Sequence, residues 1–402
     1  MTSPDSPSHS PRTETQKRPR GLQAPVLAFP FRLFFLSAAV AAALLVPLWL
    51  FVLTQGGMDH LALAPLHWHQ HEMLAGFLNA AIAGFLLTAI CNWTGARPVA
   101  GGSLLAVWLL WLTGRLAMMF GGAWPLMATV IDLAFLPVLA WLAGIRIWHA
   151  RQYRQLVLMM VLAACWVLDL LFHLSASPRY LHALVVLAAV LILIIGGRIT
   201  PAFTRNWLQA RGRDSTSVRT IPWMTPVGLA LALLVALLVA LNIKGTLLAV
   251  LALAAAAMAL LRLAGWSSWQ IRDEPLLWIL HLGHVWVVLG FVLLALSQWH
   301  WVAATSWLHA LGAGAMGTTI MGVMTRVAVG HTGRAMALPP GGILLYALVL
   351  AAGGLRVLAA LGWLPWLSGV WLSAGLWSLA FAGFLLLYGS VLTGPRVDGK
   401  PG

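Results

Sequence analysis

Twelve runs of about twenty apolar residues, separated by short turn signals, leave this chain few ways to fold. A helix needs about 20 consecutive apolar residues to cross the hydrocarbon core of a bilayer. The runs are 31–53, 70–90, 101–120, 123–143, 153–174, 179–197, 224–243, 245–264, 276–297, 303–326, 341–361 and 366–392. Glycine and proline punctuate them, as at Gly95, Gly121-Gly122, Pro178, Pro222, Gly245, Pro275, Pro339-Pro340 and Pro365. The chain is 61% hydrophobic and 8% charged, where a soluble domain carries about 25% charged residues. Too few charges remain to cover a water-facing surface, so the lipid bilayer must cover most of it. The expected fold is an all-α polytopic membrane protein with 12 transmembrane helices in one domain over residues 26–394. Residues 1–25, rich in Ser, Pro, Thr, Arg and Lys, are expected to be a disordered cytoplasmic tail. Residues 395–402 form a short cytoplasmic tail at the other end. The first apolar run is too long for a signal peptide, and no small-residue cleavage site clearly follows it.

Charge orients the helices. One set of loops and tails holds nineteen Lys and Arg residues; the other holds only Arg179 and Lys244. The positive-inside rule makes the first set cytoplasmic and puts both termini there. The expected location is therefore an inner membrane, with both termini on its cytoplasmic side. The net charge of +14 does not indicate nucleic acid, because the positive residues are spread between apolar runs rather than gathered on one module. Cys91 and Cys165 sit in or at the end of apolar runs, with no CxxC or CxxCH pattern. That argues against a disulfide framework, a zinc ribbon and a covalently attached c-type haem.

A faint repeat runs through the spans. Leu181-His182-Ala183-Leu184 opens the sixth, and the same four letters, Leu308-His309-Ala310-Leu311, lie early in the tenth. Both spans close on Gly-x-x-Thr, at Gly197–Thr200 and Gly322–Thr325. The second span also starts with histidine, His71. Spans 2, 6 and 10 are four apart and run in the same direction, which suggests three parallel four-helix units.

An ionisable residue inside a span is costly and is a candidate for function. His67, His69, His71, His173, His182 and His309 all fall in the outer third of the membrane, on spans 2, 5, 6 and 10. His281 and His284 enter span 9 from the cytoplasmic side and lie deeper. Neutral imidazoles from several helices at one depth suit haem iron or copper. In a helix His67 and His71 share a face and His69 points away; in an extended segment His69 and His71 point together. Sequence alone leaves both open. Glu72, and Asp169 four residues before His173, are candidate partners that fix a histidine tautomer. Arg115, toward the outer end of span 3, suits a haem propionate, and Asp132 lies near the middle of span 4. A lone membrane histidine more often hydrogen-bonds a neighbouring helix than binds metal. The cluster, rather than any one member, carries the metal expectation. His9, His149, His300 and His331 read as loop or tail residues, and the tryptophans as interface and core.

Several blocks resemble a known family. Trp68-His69-Gln70-His71-Glu72-Met73-Leu74 leads into Asn92-Trp93-Thr94-Gly95. Further on come Gly196-Gly197-Arg198-Ile199-Thr200-Pro201-Ala202-Phe203-Thr204-Arg205-Asn206, Leu280-His281-Leu282-Gly283, Met324-Thr325-Arg326 and Gly330-His331-Thr332-Gly333-Arg334. Together these look like the NnrS family, bacterial membrane proteins with haem and copper linked to denitrification and to resistance against nitric oxide stress. The resemblance implies haem b and copper as cofactors, nitric oxide as ligand or substrate, and redox activity fed by an electron donor. The expected cofactor-binding residues are His69, His71, His309 and Arg115, which match the family pattern, together with His182 from the outer-side cluster; His71 and His309 are the expected haem ligands. The metal-ligand set is His69, His71, His173, His182, His281 and His309. Glu72, Asp132, Asp169, Arg198 and Arg326 are expected around it. The architecture is more loosely similar to the main subunit of haem–copper oxidases. The tenth span has one histidine rather than an HxH pair, and the seventh has none, so the usual binuclear site is not expected. A secondary transporter for a metal or small anion, with proton-carrying histidines, is the alternative reading. An assembly or sensing partner without chemistry of its own is a third.

Overall fold

The computed structural model describes residues 24–56 and 60–400. The proposed N-terminal tail falls almost wholly outside the described residues. Among those described, the chain forms twelve long helices: α1 Pro30–Gln55, α2 Pro65–Thr94, α3 Gly102–Phe120, α4 Pro125–His149, α5 Leu156–Ser175 and α6 Pro178–Ala210. Then come α7 Met224–Ala240, α8 Thr246–Ala264, α9 Pro275–Gln298, α10 over 306–330, α11 Gly342–Ala360 and α12 Trp366–Thr393. Each apolar run became one helix, and α1, α2, α4, α6 and α9 begin on proline at the first position, where its missing N–H costs nothing. The outward faces are apolar: Leu386 is 84% and Leu126 78% exposed. Such a surface is tolerated only against lipid.

Consecutive helices pack as antiparallel neighbours, and the loops sort to two ends. At one end Gly101 donates to the Leu27 carbonyl, Arg219 to Gly265 and Val397 to Thr332. These contacts gather the start of α1, the arginine-bearing loops and the C-terminal residues. At the other end Gly122 donates to His60 and Gly245 to the Gln298 side chain. The last helix of each expected four-helix unit packs on the first of the next: α4 on α5, α8 on α9, and α12 back on α1. The bundle is thus a closed ring, with α6 touching both α2 and α10 in its interior.

Two features differ from the expected spans. Helix α6 does not stop at 197 but runs through Pro201 to Ala210, 33 residues in all. That is about 50 Å of helix, so Arg198 and Arg205 ride on it rather than in a loop. Helices α2 and α10 each contain a π-helical stretch, Glu72–Leu78 and Ala310–Met316. Each begins directly after a histidine, His71 and His309. A π stretch adds a residue to a turn, re-aims the side chains beside it, and is found mostly at functional sites.

Candidate functional site

Helix α2 is already helical at Pro65, which decides the open question about its histidines. His67 and His71 share a face and both pack on Phe172 of α5, with ring centroids 5.6 and 6.1 Å away. His69 points the other way and stacks on Trp49 of α1 at 4.2 Å.

His71 enters a buried cluster built from four helices. Its Nε2 lies 3.1 Å from Asp132 Oδ2 of α4 and 3.4 Å from Asp169 Oδ1 of α5. His173 Nε2, one turn beyond Asp169, lies 3.4 Å from Asp132 Oδ2 and 3.8 Å from Asp169 Oδ1. Two nitrogens and two oxygens therefore converge on one point. The edges of a ligand tetrahedron around a zinc-sized ion, with bonds of about 2.0–2.1 Å, are about 3.3 Å long. The four measured separations bracket that value. The remaining nitrogen of each imidazole is held from outside: His71 Nδ1 by Glu72 Oε1 at 3.1 Å, and His173 Nδ1 by the Thr129 hydroxyl at 3.2 Å. Such partners aim Nε2 at a metal. Asp169 Oδ1 and His173 Nε2 are buried without a hydrogen-bond partner, a costly state that a cation between them would relieve.

Charge points the same way. Glu72, Asp132 and Asp169 bring three carboxylates, each among the buried polar groups. Against them stands Arg115 of α3, whose guanidinium bonds Glu72 Oε1 at 2.6 Å and also Asp132 Oδ1. With neutral imidazoles two negative charges remain uncompensated within the membrane-spanning region, where unpaired charge is expensive. A divalent cation would balance them.

The surrounding sequence explains the placement. Pro137 has no N–H to give the carbonyl four residues back, so Leu133 accepts instead from Trp166 Nε1 of α5 at 2.9 Å. That break in α4 follows directly on Asp132 and ties it to the helix that carries Asp169. Trp111 Nε1 of α3 donates to the Ala75 and Gly76 carbonyls at 3.3 and 3.1 Å, inside the π stretch. Gly76 leaves room for the Glu72–Arg115 pair; a Cβ there would meet Glu72 Oε2 at 3.1 Å.

The other expected residues lie elsewhere. His309 is drawn not to His71 but toward His69; Arg356 of α11 is within electrostatic reach of both. His182 packs edge-on against Trp307 at 6.1 Å. His281 has both ring nitrogens satisfied, by Ser268 at 2.7 Å and Thr204 at 3.1 Å, and acts as a helix-tying group. Arg198 bonds Gln155 and Arg326 lies over the Phe203 ring at 4.1 Å; neither touches the cluster. Sequence reasoning missed Thr129, Trp111 and Arg356. Only Arg356 had a signal, as a lone cation inside an apolar span.

The blocks around His71, Arg198 and Arg326 thus sit on the three interior helices of one membrane bundle. A family profile described as NnrS protein matches residues 25–396 of the chain. The chain belongs to the NnrS family. The matched span takes in all twelve helices and the positions of every residue of the cluster. No curated protein matches the chain at a significant level.

Proposed function

We propose that this NnrS-family chain is a metal-dependent inner-membrane protein of the nitric oxide response. Its termini and arginine-rich loops face the cytoplasm, and the His71 cluster lies toward the periplasm. The observation that carries the reading is the convergence of His71, Asp132, Asp169 and His173, whose donor atoms all lie within 4.8 Å of one another. Copper is the metal proposed there. Two imidazoles and two carboxylates suit Cu(II), which binds nitrogen and oxygen sites more tightly than the other divalent first-row ions. A haem does not fit at His71, because both ring nitrogens already face carboxylates.

His69 and His309 fit a haem better. His69 Nδ1 and Arg356 Nη1 are buried without a partner. His309 Nδ1 is fixed by the Thr305 carbonyl at 2.9 Å, which leaves its Nε2 available. Two imidazoles from α2 and α10 would hold haem b, and Arg356 would pair with a propionate. Haem iron and copper would supply one-electron chemistry toward nitric oxide. The protein's own part is to hold His71 and His173 in one tautomer, to compensate charge through Arg115, and to keep water from the centre.

The test is to purify the protein in detergent, measure iron and copper per chain, and record oxidised and reduced spectra. Near-stoichiometric copper that drops in both His173→Ala and Asp169→Asn, and a Soret band that disappears in His309→Ala, are expected. Copper retained in both variants would remove the cluster from the reading. A colourless, metal-free wild-type protein would replace it with the proton-coupled transporter.

A further inference from the structure

The cluster faces a small cavity lined by His71, Leu74, Ala75, Leu78, Asn79, Ile82, Leu136, Cys165, Asp169 and Leu184. Leu78 and Ile82 also line a second cavity, of about 70 Å³, at the centre of the ring. Its walls come from α1, α2, α6, α9 and α10 and are almost wholly apolar. Phe85, Ile199, Leu280 and Val323 in turn separate it from a third cavity that reaches Arg326 and His331 at the arginine-rich end. The three spaces share walls in turn and so form a row through the bundle, from the cluster to the arginine-rich end.

One imidazole interrupts the apolar middle. His284 of α9 is 1% exposed. Its Nδ1 lies 3.0 Å from the Leu280 carbonyl, and its Nε2 is buried with no partner. Glycine at 196 makes the room: a Cβ there would stand 2.6 Å from His284 Cε1. The hydroxyls of Thr200 and Thr319, on the same walls, are also without partners. An apolar cavity of this size admits small uncharged molecules and repels ions, which would shed their hydration there without compensation.

We propose that the cluster is reached through this intramembrane row of cavities by a small uncharged diatomic molecule of the nitric oxide class. His284 Nε2 is the polar anchor in the central chamber, and Leu78 with Ile82 forms the constriction before the metal. The proposal rests on the metal reading above and adds the path by which such a ligand reaches the cluster and the residues that gate it. Anions that the Arg326 vestibule attracts are stopped at Phe85 and Leu280.

Xenon is the first probe, because dry apolar cavities bind it. Xenon-pressurised protein, metal-loaded or metal-free, should hold a xenon atom beside His284, and Ile82→Trp should shift or remove it. Stopped-flow mixing of the metal-loaded protein with nitric oxide is the second. Ile82→Trp should slow the change in the metal's absorption roughly tenfold or more, and Ile82→Ala should speed it, at unchanged metal content. Azide should react far more slowly than nitric oxide. An empty central chamber under xenon would overturn the proposal. So would nitric oxide rates insensitive to both Ile82 variants, or azide reacting as fast as nitric oxide. Absence of metal from the wild-type protein would count against the metal reading alone, since the xenon result does not depend on it.

Discussion

Single atoms decide much of this bundle. Thr129 contributes one hydroxyl, yet it fixes which nitrogen of His173 faces the cluster. Thr129→Val should leave the fold intact and weaken metal binding about 10- to 100-fold, the usual cost of losing such an outer partner. Competition with a chelator of known affinity would read it. At Gly290 of α9 there is no space for a side chain: a Cβ would run into the Leu311 side chain, with the Leu311 backbone nitrogen 3.4 Å away. Gly290→Val should cost about 1–3 kcal/mol through overpacking, seen as a lower melting temperature in detergent. If the melting temperature stays unchanged, α9 and α10 do not approach as closely as this.

At the scale of elements, the apolar runs were legible because helix length in a bilayer follows from its thickness, and every run found its helix. The π stretches were not legible. Glu72–Leu78 and Ala310–Met316 have ordinary helical composition, and the inserted residue is held by tertiary partners such as the Trp111 indole. Trp111→Phe removes the donor to the Ala75 and Gly76 carbonyls. It should cost about 0.5–1.5 kcal/mol for the lost hydrogen bond and lower metal occupancy, because His71 directly precedes that stretch and Glu72 begins it. A variant with normal melting and full metal content would show that the π stretch does not need the indole. The buried cluster was half legible. His71 and His173 stood out as intramembrane histidines, whereas Asp132 and Asp169 were expected only around the ligands. Their ligand-distance placement depends on the break at Pro137 and on the register between α4 and α5, which span patterns do not encode. The placement of His309 outside the His71 cluster and within electrostatic reach of His69 likewise required the observed face of α2.

The whole molecule is a ring that must be closed between its first and last helices. Arg32 of α1 does so by donating to the carbonyls of Leu392 at 2.9 Å and Gly394 at 2.7 Å, at the C-terminal end of α12. Arg32→Met removes charged hydrogen bonds that contribute about 1.5–3 kcal/mol each. It should lower thermal stability while leaving the distant metal site loaded; simultaneous loss of metal would show that ring closure and the cluster are coupled. The cluster itself draws one residue set from each of α2, α3, α4 and α5, and so straddles the boundary between the first and second four-helix units. During synthesis, Glu72, Arg115 and Asp132 can neutralise one another only in part once α4 has emerged. Asp169 and His173 arrive with α5. The nascent chain therefore has to keep three partly charged helices, α2, α3 and α4, together and shielded from lipid until α5, which ends at Ser175, has been made. The order of biosynthesis is thereby written into the position of the cluster.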